Sequence, residues 1–510
     1  MAIGVLLLSF LLFSYVQCDE VNVVETLCSK LPYPEPCSYF LKQEQAKNPT
    51  KIATNFLAVA QQLALVKARE ALNAAYTLGP KCGNAREKAA WEDCVELYEN
   101  TVDQLIVATE KCSKVDKQTW LSTALTNMET CKTGLREMRV ADFIYPLMSN
   151  NVSYLVSNSL ALSKVSPPKK HSLTDSFPKW LKAADRRLLQ SNSASSSADF
   201  VVSADGSGKF KTINDAVAAA AKSGGKRVVI YVKTGVYNER VIVPKGAKNI
   251  MMVGDGIGKT IITGSRSAGG GSTTFNSATV GVVGNGFMLR GITVRNTAGA
   301  KNHQAVALRS GSDLSVFYQC SFEGYQDTLY VLSQRQFYKN CDIYGTVDFI
   351  FGNAAVVLQT CNIYARLPPA GTNTITAQGR TDPNQNTGIS IHQCRITAAP
   401  DLKSAGGKAK TFLGRPWKAY SRTVVMNSFL DGIINPAGWY PWTGSFALNT
   451  LFYGEYSNTG PGSSTSNRVK WKGYRVITSS SVASQFTVDN FIGGRSWLPN
   501  TGVPFIAGLN

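Results

Sequence analysis

Two aspartates carry the first chemical suggestion. Asp327 lies seven residues after Cys320, and Asp348 lies seven after Cys341. Those cysteines open a recurring template: Cys320-Ser-Phe322-Glu-Gly324, Cys341-Asp-Ile343-Tyr-Gly345, Cys361-Asn-Ile363-Tyr-Ala365 and Cys394-Arg-Ile396-Thr-Ala398, spaced by 21, 20 and 33 residues. Equal positions on successive coils of a stacked repeat put two side chains about 4.8 Å apart on one face. Like charges at that range repel by about 3.5 kcal/mol at an effective dielectric of about 20. One carboxyl then keeps its proton well above the usual range while its neighbour ionises. A proton donor beside a carboxylate nucleophile is a catalytic arrangement. An Asp ladder that caps turns, or that backbone N–H groups satisfy, fits the spacing as well.

Three features favour chemistry. Both aspartates sit in aromatic, apolar surroundings, Tyr325-Gln-Asp327-Thr-Leu-Tyr330 and Thr346-Val-Asp348-Phe-Ile-Phe351, unlike solvated turns. Gln326 adjoins Asp327, and Gln304 adjoins His303 one coil earlier; neutral amides can donate to a developing oxyanion. Gly414-Arg415-Pro416-Trp417 offers a guanidinium to hold one Asp ionised and a ring on which a sugar can stack. Other motifs fall away. No GxSxG occurs, and three histidines leave little room for a Ser-His-Asp esterase or a His-rich metal site. Gly206-Ser-Gly-Lys209 lacks the flanking residues of a P-loop, and Lys259 closes Gly254-Asp-Gly256-Ile-Gly258 where a dinucleotide fingerprint needs Gly. Both read as turns.

The elements that must hold these residues differ between the two halves of the chain. Short runs rich in Val, Ile and Tyr recur in the C-terminal half: 227–232, 250–253, 260–263 and 287–294. They read as strands, with Ile213 to Ala221 as the one helix. Coils of about 20 residues with matched register predict a parallel β-helix rather than a sandwich. The N-terminal half has the helical period instead, over 52–78, 91–108 and 120–138. Helices of that length make an antiparallel four-helix bundle, stapled by cysteines, with no catalytic set of its own. Between the halves, the stretch from Ser163 to Ser197 is rich in Pro, Lys and Ser. It reads as a linker whose dibasic Arg186-Arg187-Leu188-Leu189 is exposed to proteases.

Composition bounds the rest. The 510 residues are 44% hydrophobic and 17% charged, which excludes disorder along the whole length. Residues 1–189 carry 22 Lys plus Arg against 19 Asp plus Glu, whereas 190–510 carry 31 against 15. The basic excess therefore belongs to the C-terminal half and points to a polyanionic partner. An acidic polysaccharide fits better than nucleic acid, for which no recognition motif is present. The apolar block from Val5 to Val16 reads as a signal peptide cleaved near Cys18, not as a lasting membrane anchor. Ten cysteines remain, none in a CxxC pair, so disulfides of an oxidising compartment are expected rather than zinc. Asn151-Val152-Ser153 fits N-glycosylation.

At this point the chain resembles the plant pectin methylesterases made with an inhibitor-like pro-region. The strings Gly345-Thr-Val-Asp348-Phe-Ile-Phe-Gly352-Asn-Ala354, Tyr325-Gln-Asp327-Thr-Leu-Tyr330, 378–388 and Leu413-Gly-Arg-Pro-Trp417 carry the likeness. It implies a right-handed parallel β-helix that hydrolyses methyl esters of homogalacturonan without metal or cofactor. Asp348 would be the nucleophile and Asp327 the acid, then base. Gln304 and Gln326 would form the oxyanion hole, and Arg415 would position Asp348. Trp417 with Thr279 would contact the polysaccharide, with Gln304 and Arg415 counted among the substrate-binding residues. Cys341–Cys361 resembles the family's disulfide. Cys28–Cys37 and Cys94–Cys131 resemble the two bridges of the inhibitor domain, which Cys82 and Cys112 exceed. Arg186 to Leu189 resembles the processing motif.

The expected organisation is a signal peptide (1–18), an inhibitor-like bundle (19–165), a linker with the processing site (166–198) and a β-helix esterase (199–510). Expected partners are homogalacturonan, the chain's own pro-region, separate inhibitor proteins and a processing protease, in the extracellular cell wall. Paired carboxyls about 5 Å apart also suit a retaining glycosidase. The two glutamines favour the ester, because an oxocarbenium-like state has no oxyanion to stabilise. A non-catalytic wall-binding solenoid is the third reading.

Overall fold

The computed structural model describes residues 20–47, 55–140, 150–164, 198–406 and 409–510. The expected signal peptide and the processing motif Arg186–Leu189 lie outside the described residues.

The N-terminal part is helical: α1 (Glu20–Cys28), α2 (Pro34–Lys47), α3 (Phe56–Leu78), α4 (Ala85–Thr109), α5 (Lys114–Met138) and α6 (Val152–Leu162). The long helices start at side-chain caps, which satisfy amides that the first turn leaves unpaired. Asn84 accepts from the N–H groups of Arg86 and Glu87 at 3.0 Å each, and Ser113 accepts from that of Asp116 at 3.1 Å. Helices α3 to α6 form the bundle, burying Leu63, Leu97, Leu105, Leu121, Leu135 and Leu160. The disulfide Cys94–Cys131 ties α4 to α5, and Cys28–Cys37 closes the α1–α2 turn. Cys82 and Cys112 are free.

The second part is a parallel β-helix. Its strands form three sheets of 11, 8 and 7 strands among the described residues, and every named pair is parallel. A typical coil runs through Arg335–Lys339, Asp342–Gly345 and Val347–Gly352, one strand for each sheet. Like residues stack inside: Phe317 lies on Tyr338 with ring centroids 4.5 Å apart. Helix α7 (Ile213–Ala221) buries Ile213, Ala216, Val217 and Ala220 in the core beside the first strands. A parallel sheet needs such cover, because its open edge would otherwise recruit another strand.

The chain turns from one strand to the next through a left-handed residue just before each template cysteine. Gln319, Asn340, Thr360 and Gln393 have φ of 53°, 52°, 49° and 53°. Asn427, at φ 50°, makes the same corner before Ser428, so this coil lacks the cysteine that marks the others.

Four details differ from the sequence reading. The run 287–294 is two strands, Met288–Arg290 and Thr293–Asn296, bent at Gly291 with φ 62°. Short helices at Pro400–Ser404, Ser480–Ser484 and Val488–Ile492 join α7. The strand expected from Arg227 begins at Val228. The expected Cys341–Cys361 bridge is not formed: Cys320, Cys341, Cys361 and Cys394 are buried free thiols. In-register stacking gives each inner thiol two equivalent neighbours, and their S–H groups point to strand carbonyls, Cys341 to Phe317 O at 3.4 Å.

Candidate active site

Asp327 and Asp348 occupy the same corner of successive coils. Leu329 pairs with Ile350 and Tyr330 with Phe351, so the 21-residue offset of the template carries through to the aspartates. The amide of Asp327 donates to Val347 O at 3.1 Å. Both aspartates are left-handed, with φ of 63° and 53°, a conformation that Asp tolerates better than most residues and that recurs at functional sites. Each is over nine-tenths buried.

Their surroundings make them unequal. Arg415 grips Asp348 with two bonds, Nε to Oδ1 at 2.8 Å and Nη2 to Oδ2 at 2.7 Å. Thr374 Oγ1 donates to Oδ1 at 2.6 Å and accepts from the Asp348 amide at 3.0 Å. A bidentate guanidinium is the partner of an ionised carboxylate. Burial pushes the Asp327 carboxyl well above the usual carboxylate range. The charges of Asp348 and Glu137 push it further, against the pull of Arg415. One carboxylate and one carboxylic acid therefore stand side by side.

Gln304 and Gln326 line the same cavity of about 210 Å³ with the aspartates, Arg415 and Trp417. Ala305 N donates to Gln326 O at 3.2 Å, which fixes the two glutamine-bearing coils against each other. The cavity wall is aromatic. Tyr330 and Phe351 stack at 4.2 Å, and Trp417 stands edge-on to both at 6.5 and 5.9 Å.

Thr279 is not part of this site. It is 2% exposed, and its hydroxyl donates to Arg295 O at 3.1 Å. The residue at the cavity is Thr274, together with Phe275. A 3₁₀ turn over Phe275–Ser277 separates the two threonines and turns Thr279 toward the strands. Sequence reasoning also missed Trp442, whose ring lies 4.4 Å from the Arg415 guanidinium, and Thr374. The aromatic cluster Trp439-Tyr-Pro-Trp442 was a usable signal for the former.

The roof of the cavity belongs to the bundle. Thr130, Thr133, Gly134 and Glu137 of α5 line it from above. The Glu137 carboxylate accepts from the Thr274 amide at 2.9 Å and from its hydroxyl at 3.0 Å. Burial raises the Glu137 carboxyl above its ordinary value. Asn151, the candidate glycosylation site, is the half-buried N-cap residue of α6.

A buried carboxylic acid beside a carboxylate, with two glutamines lining the same aromatic-walled cavity, is the equipment of a hydrolase that works through a carboxylate nucleophile. Comparison with known proteins narrows the class. Residues 199–495 match the pectinesterase family, and residues 22–162 match the plant invertase/pectin methylesterase inhibitor family. Pectinesterase 2 of Citrus sinensis is 64% identical over 489 residues, covering 95% of each chain. Probable pectinesterase/pectinesterase inhibitor 17 of Arabidopsis thaliana is 59% identical over 99% of this chain and 98% of its own. The solved pectin methylesterase from carrot superposes with a TM-score of 0.60 at 62% identity, covering 61% of this chain and 98% of that one. A stretch the length of this β-helix therefore accounts for nearly all of the carrot chain. The protein belongs to the pectinesterase family and is a carboxylic ester hydrolase with an inhibitor-like N-terminal domain.

Proposed function

We propose that the β-helix hydrolyses the methyl esters of homogalacturonan through an acyl-enzyme on Asp348. The observation that carries this mechanism is the inequality of the aspartates, one gripped by Arg415 and Thr374 and the other held protonated. An Asp348 carboxylate oxygen attacks the C6 ester carbonyl, and the carbonyl electron pair moves onto oxygen. The side-chain amides of Gln304 and Gln326 face that oxyanion. As the tetrahedral state collapses, Asp327 gives its proton to the leaving methoxide, and methanol departs. Asp327, now a base, takes a proton from water while the water oxygen attacks the anhydride. Asp348 leaves as carboxylate, the uronic acid is free and Asp327 is protonated again. Every step uses side chains of this one cavity. Tyr330, Phe351, Trp417 and Trp442 supply the apolar walls against which sugar rings lie.

The bundle is then the brake. With α5 over the aspartates and Glu137 on the Thr274 donors, a polymer cannot reach the cavity. Release follows from secretion into the cell wall, with a glycan on Asn151, and from cutting of the linker at Arg186–Leu189 between the bundle (19–165) and the β-helix (199–510). No helix among the described residues is long and apolar enough to cross a membrane.

Methanol release from highly methylated pectin by the full chain, before and after cleavage of the linker, tests both parts, with new reducing ends assayed in the same tube. Methanol that appears on cleavage without reducing ends supports the reading; reducing ends without methanol make the site a glycosidase. In the cleaved chain, Asp348→Asn should lower methanol release by about 10⁴-fold or more.

A further inference from the structure

Three arginines of the β-helix crowd together beyond the catalytic cavity. Arg309 is 1% exposed, and its guanidinium lies 3.4 Å from the centre of the Phe275 ring, which lines the cavity. Arg240 donates to the side-chain oxygen of Asn276, the next residue along. Arg266 donates from Nε to Ser272 Oγ at 3.2 Å, at the start of the same turn. Burial and the like charges of Arg266 and Arg309 pull the Arg240 guanidinium down to about 10. Arg309 pairs in register with Tyr330 on the catalytic coil, and the strand that follows Arg240 lies two coils further up. At one strand spacing per coil, the cluster extends about 5–15 Å from the reacting carboxylates.

The cluster has no anion of its own. Among the described residues, no carboxylate of the β-helix forms an ion pair with any of the three. The negative charge beside them comes from α4 of the bundle: Glu96 Oε1 lies 3.5 Å from Arg309 Nη1, and the Asp93 carboxyl, raised by burial, packs next to it. Asp93 accepts from Asn276 Nδ2 at 2.7 Å and from the hydroxyl of Thr273. The Nε groups of Arg240 and Arg309 are buried without a hydrogen-bond partner. Gathering like charges in a poorly solvated place is unfavourable unless an anion joins them. The anion present is the Glu96 carboxylate, with the raised Asp93 carboxyl beside it, and a carboxylate is the group that the catalysed reaction produces.

We infer that Arg240, Arg266 and Arg309 form a subsite for the free carboxylates of a uronic-acid polymer, which Asp93 and Glu96 of the bundle occupy in the full chain. This rests on the esterase reading of the neighbouring cavity. Once the bundle leaves, the subsite holds sugars already freed of their methyl groups while the next ester sits over Asp348. Acid groups then accumulate next to one another along the polymer. Gly281 belongs to the same construction, since a Cβ there would lie 3.2 Å from Arg309 Nη2 and 2.9 Å from Ile242.

The test measures binding of a fully unesterified oligogalacturonate to the β-helix portion (198–510) by calorimetry. The same preparation is assayed for methanol release. Arg240→Gln with Arg266→Gln should weaken binding roughly tenfold and flatten its dependence on salt. Arg240→Lys with Arg266→Lys should recover most of the affinity, which a merely structural role would not predict. Equal binding by wild type and the glutamine pair would overturn the inference and leave the arginines as docking residues for the bundle. Absence of oligouronate binding by the wild type would overturn it too. Binding lost in the glutamine pair, with no methanol from wild type, would instead sink the esterase reading and leave the subsite standing.

Discussion

Two outer faces of the β-helix are covered, and by opposite means. The 11-stranded sheet is covered by the C-terminal segment, whose Val488, Ile492, Trp497, Leu498 and Val503 pack on Met251, Val253, Val316, Phe337 and Val357. The 7-stranded sheet, which carries the aspartates, is covered by the bundle. Tyr330, Leu332 and Phe351 add an apolar patch there, but the contact is laced with polar groups. Asn353 donates to Thr126 at 2.8 Å, Asn386 to Thr119 at 2.9 Å and Gln334 to Gln104 at 2.9 Å. Glu129 meets Lys418 at 2.6 Å, and Asp116 meets Arg335 at 2.8 Å. An apolar cover is part of the fold, because exposing it costs roughly 25 cal/mol per Å². Polar groups at the second face can return to water with little loss. The first cover is permanent, and the second can be shed.

That contrast can be broken at either face. The larger effect on stability belongs to the permanent cover. Trp497 is 1% exposed, and its indole N–H donates to Ile492 O at 3.0 Å. Trp497→Ala should cost about 3–5 kcal/mol of unfolding free energy in denaturant titration. A change within 1 kcal/mol would mean that the C-terminal segment is a loose appendage and that both covers are removable.

At the second face pH is the lever. Burial raises the Asp93 carboxyl to about 7 when the bundle is docked. If the separated bundle returns it to the ordinary range, the docked state binds the extra proton. The Asp93 contribution to docking is then fully present below about pH 4 and is lost as pH rises through about 7. For Asp93 alone the affinity of the separated bundle for the β-helix should fall roughly 300-fold between pH 4 and 7. Glu137, on the bundle and also raised by burial, acts in the same direction. Asp93→Asn should remove most of the slope; an unchanged slope would place the titration elsewhere.

How legible this was from sequence depends on whether a residue repeats. The template at Cys320, Cys341, Cys361 and Cys394 fixes a register, and the register brings Asp327 to Asp348; Gln304, Gln326 and Arg415 come from adjacent amides, a local motif and the family likeness, and they line the same cavity. Thr279 came from the family likeness alone, and the stretch between Gly264 and Val280 belongs to no repeat, so no register was there to check it. The coil after Cys394 was invisible for a simpler reason: Ser428 stands where the cysteine would be. The docking face of α5 is written in the sequence but was not read from it. Thr119, Ser122, Thr126, Thr130, Thr133 and Glu137 recur at three- and four-residue steps, which looks like a solvated stripe. The first four are in fact buried, under Asn386, Gln385 and Asn353. Periodicity reports that a helix has two faces and says nothing of what covers the polar one.

The smallest expected effect is the most informative about how the removable cover is held. Lys418 Nζ lies 2.6 Å from Glu129 Oε1, with both side chains partly exposed, and 5.2 Å from the Trp417 ring beside the cavity. A pair of that exposure contributes about 1 kcal/mol or less, and salt screens it. Lys418→Ala should therefore weaken bundle docking no more than about fivefold, with the difference from wild type vanishing in high salt. A much larger loss that persists in salt would mean that the bundle is anchored at one charged point beside Trp417. In that case the two faces would differ in where their strength is concentrated rather than in the kind of contact that supplies it.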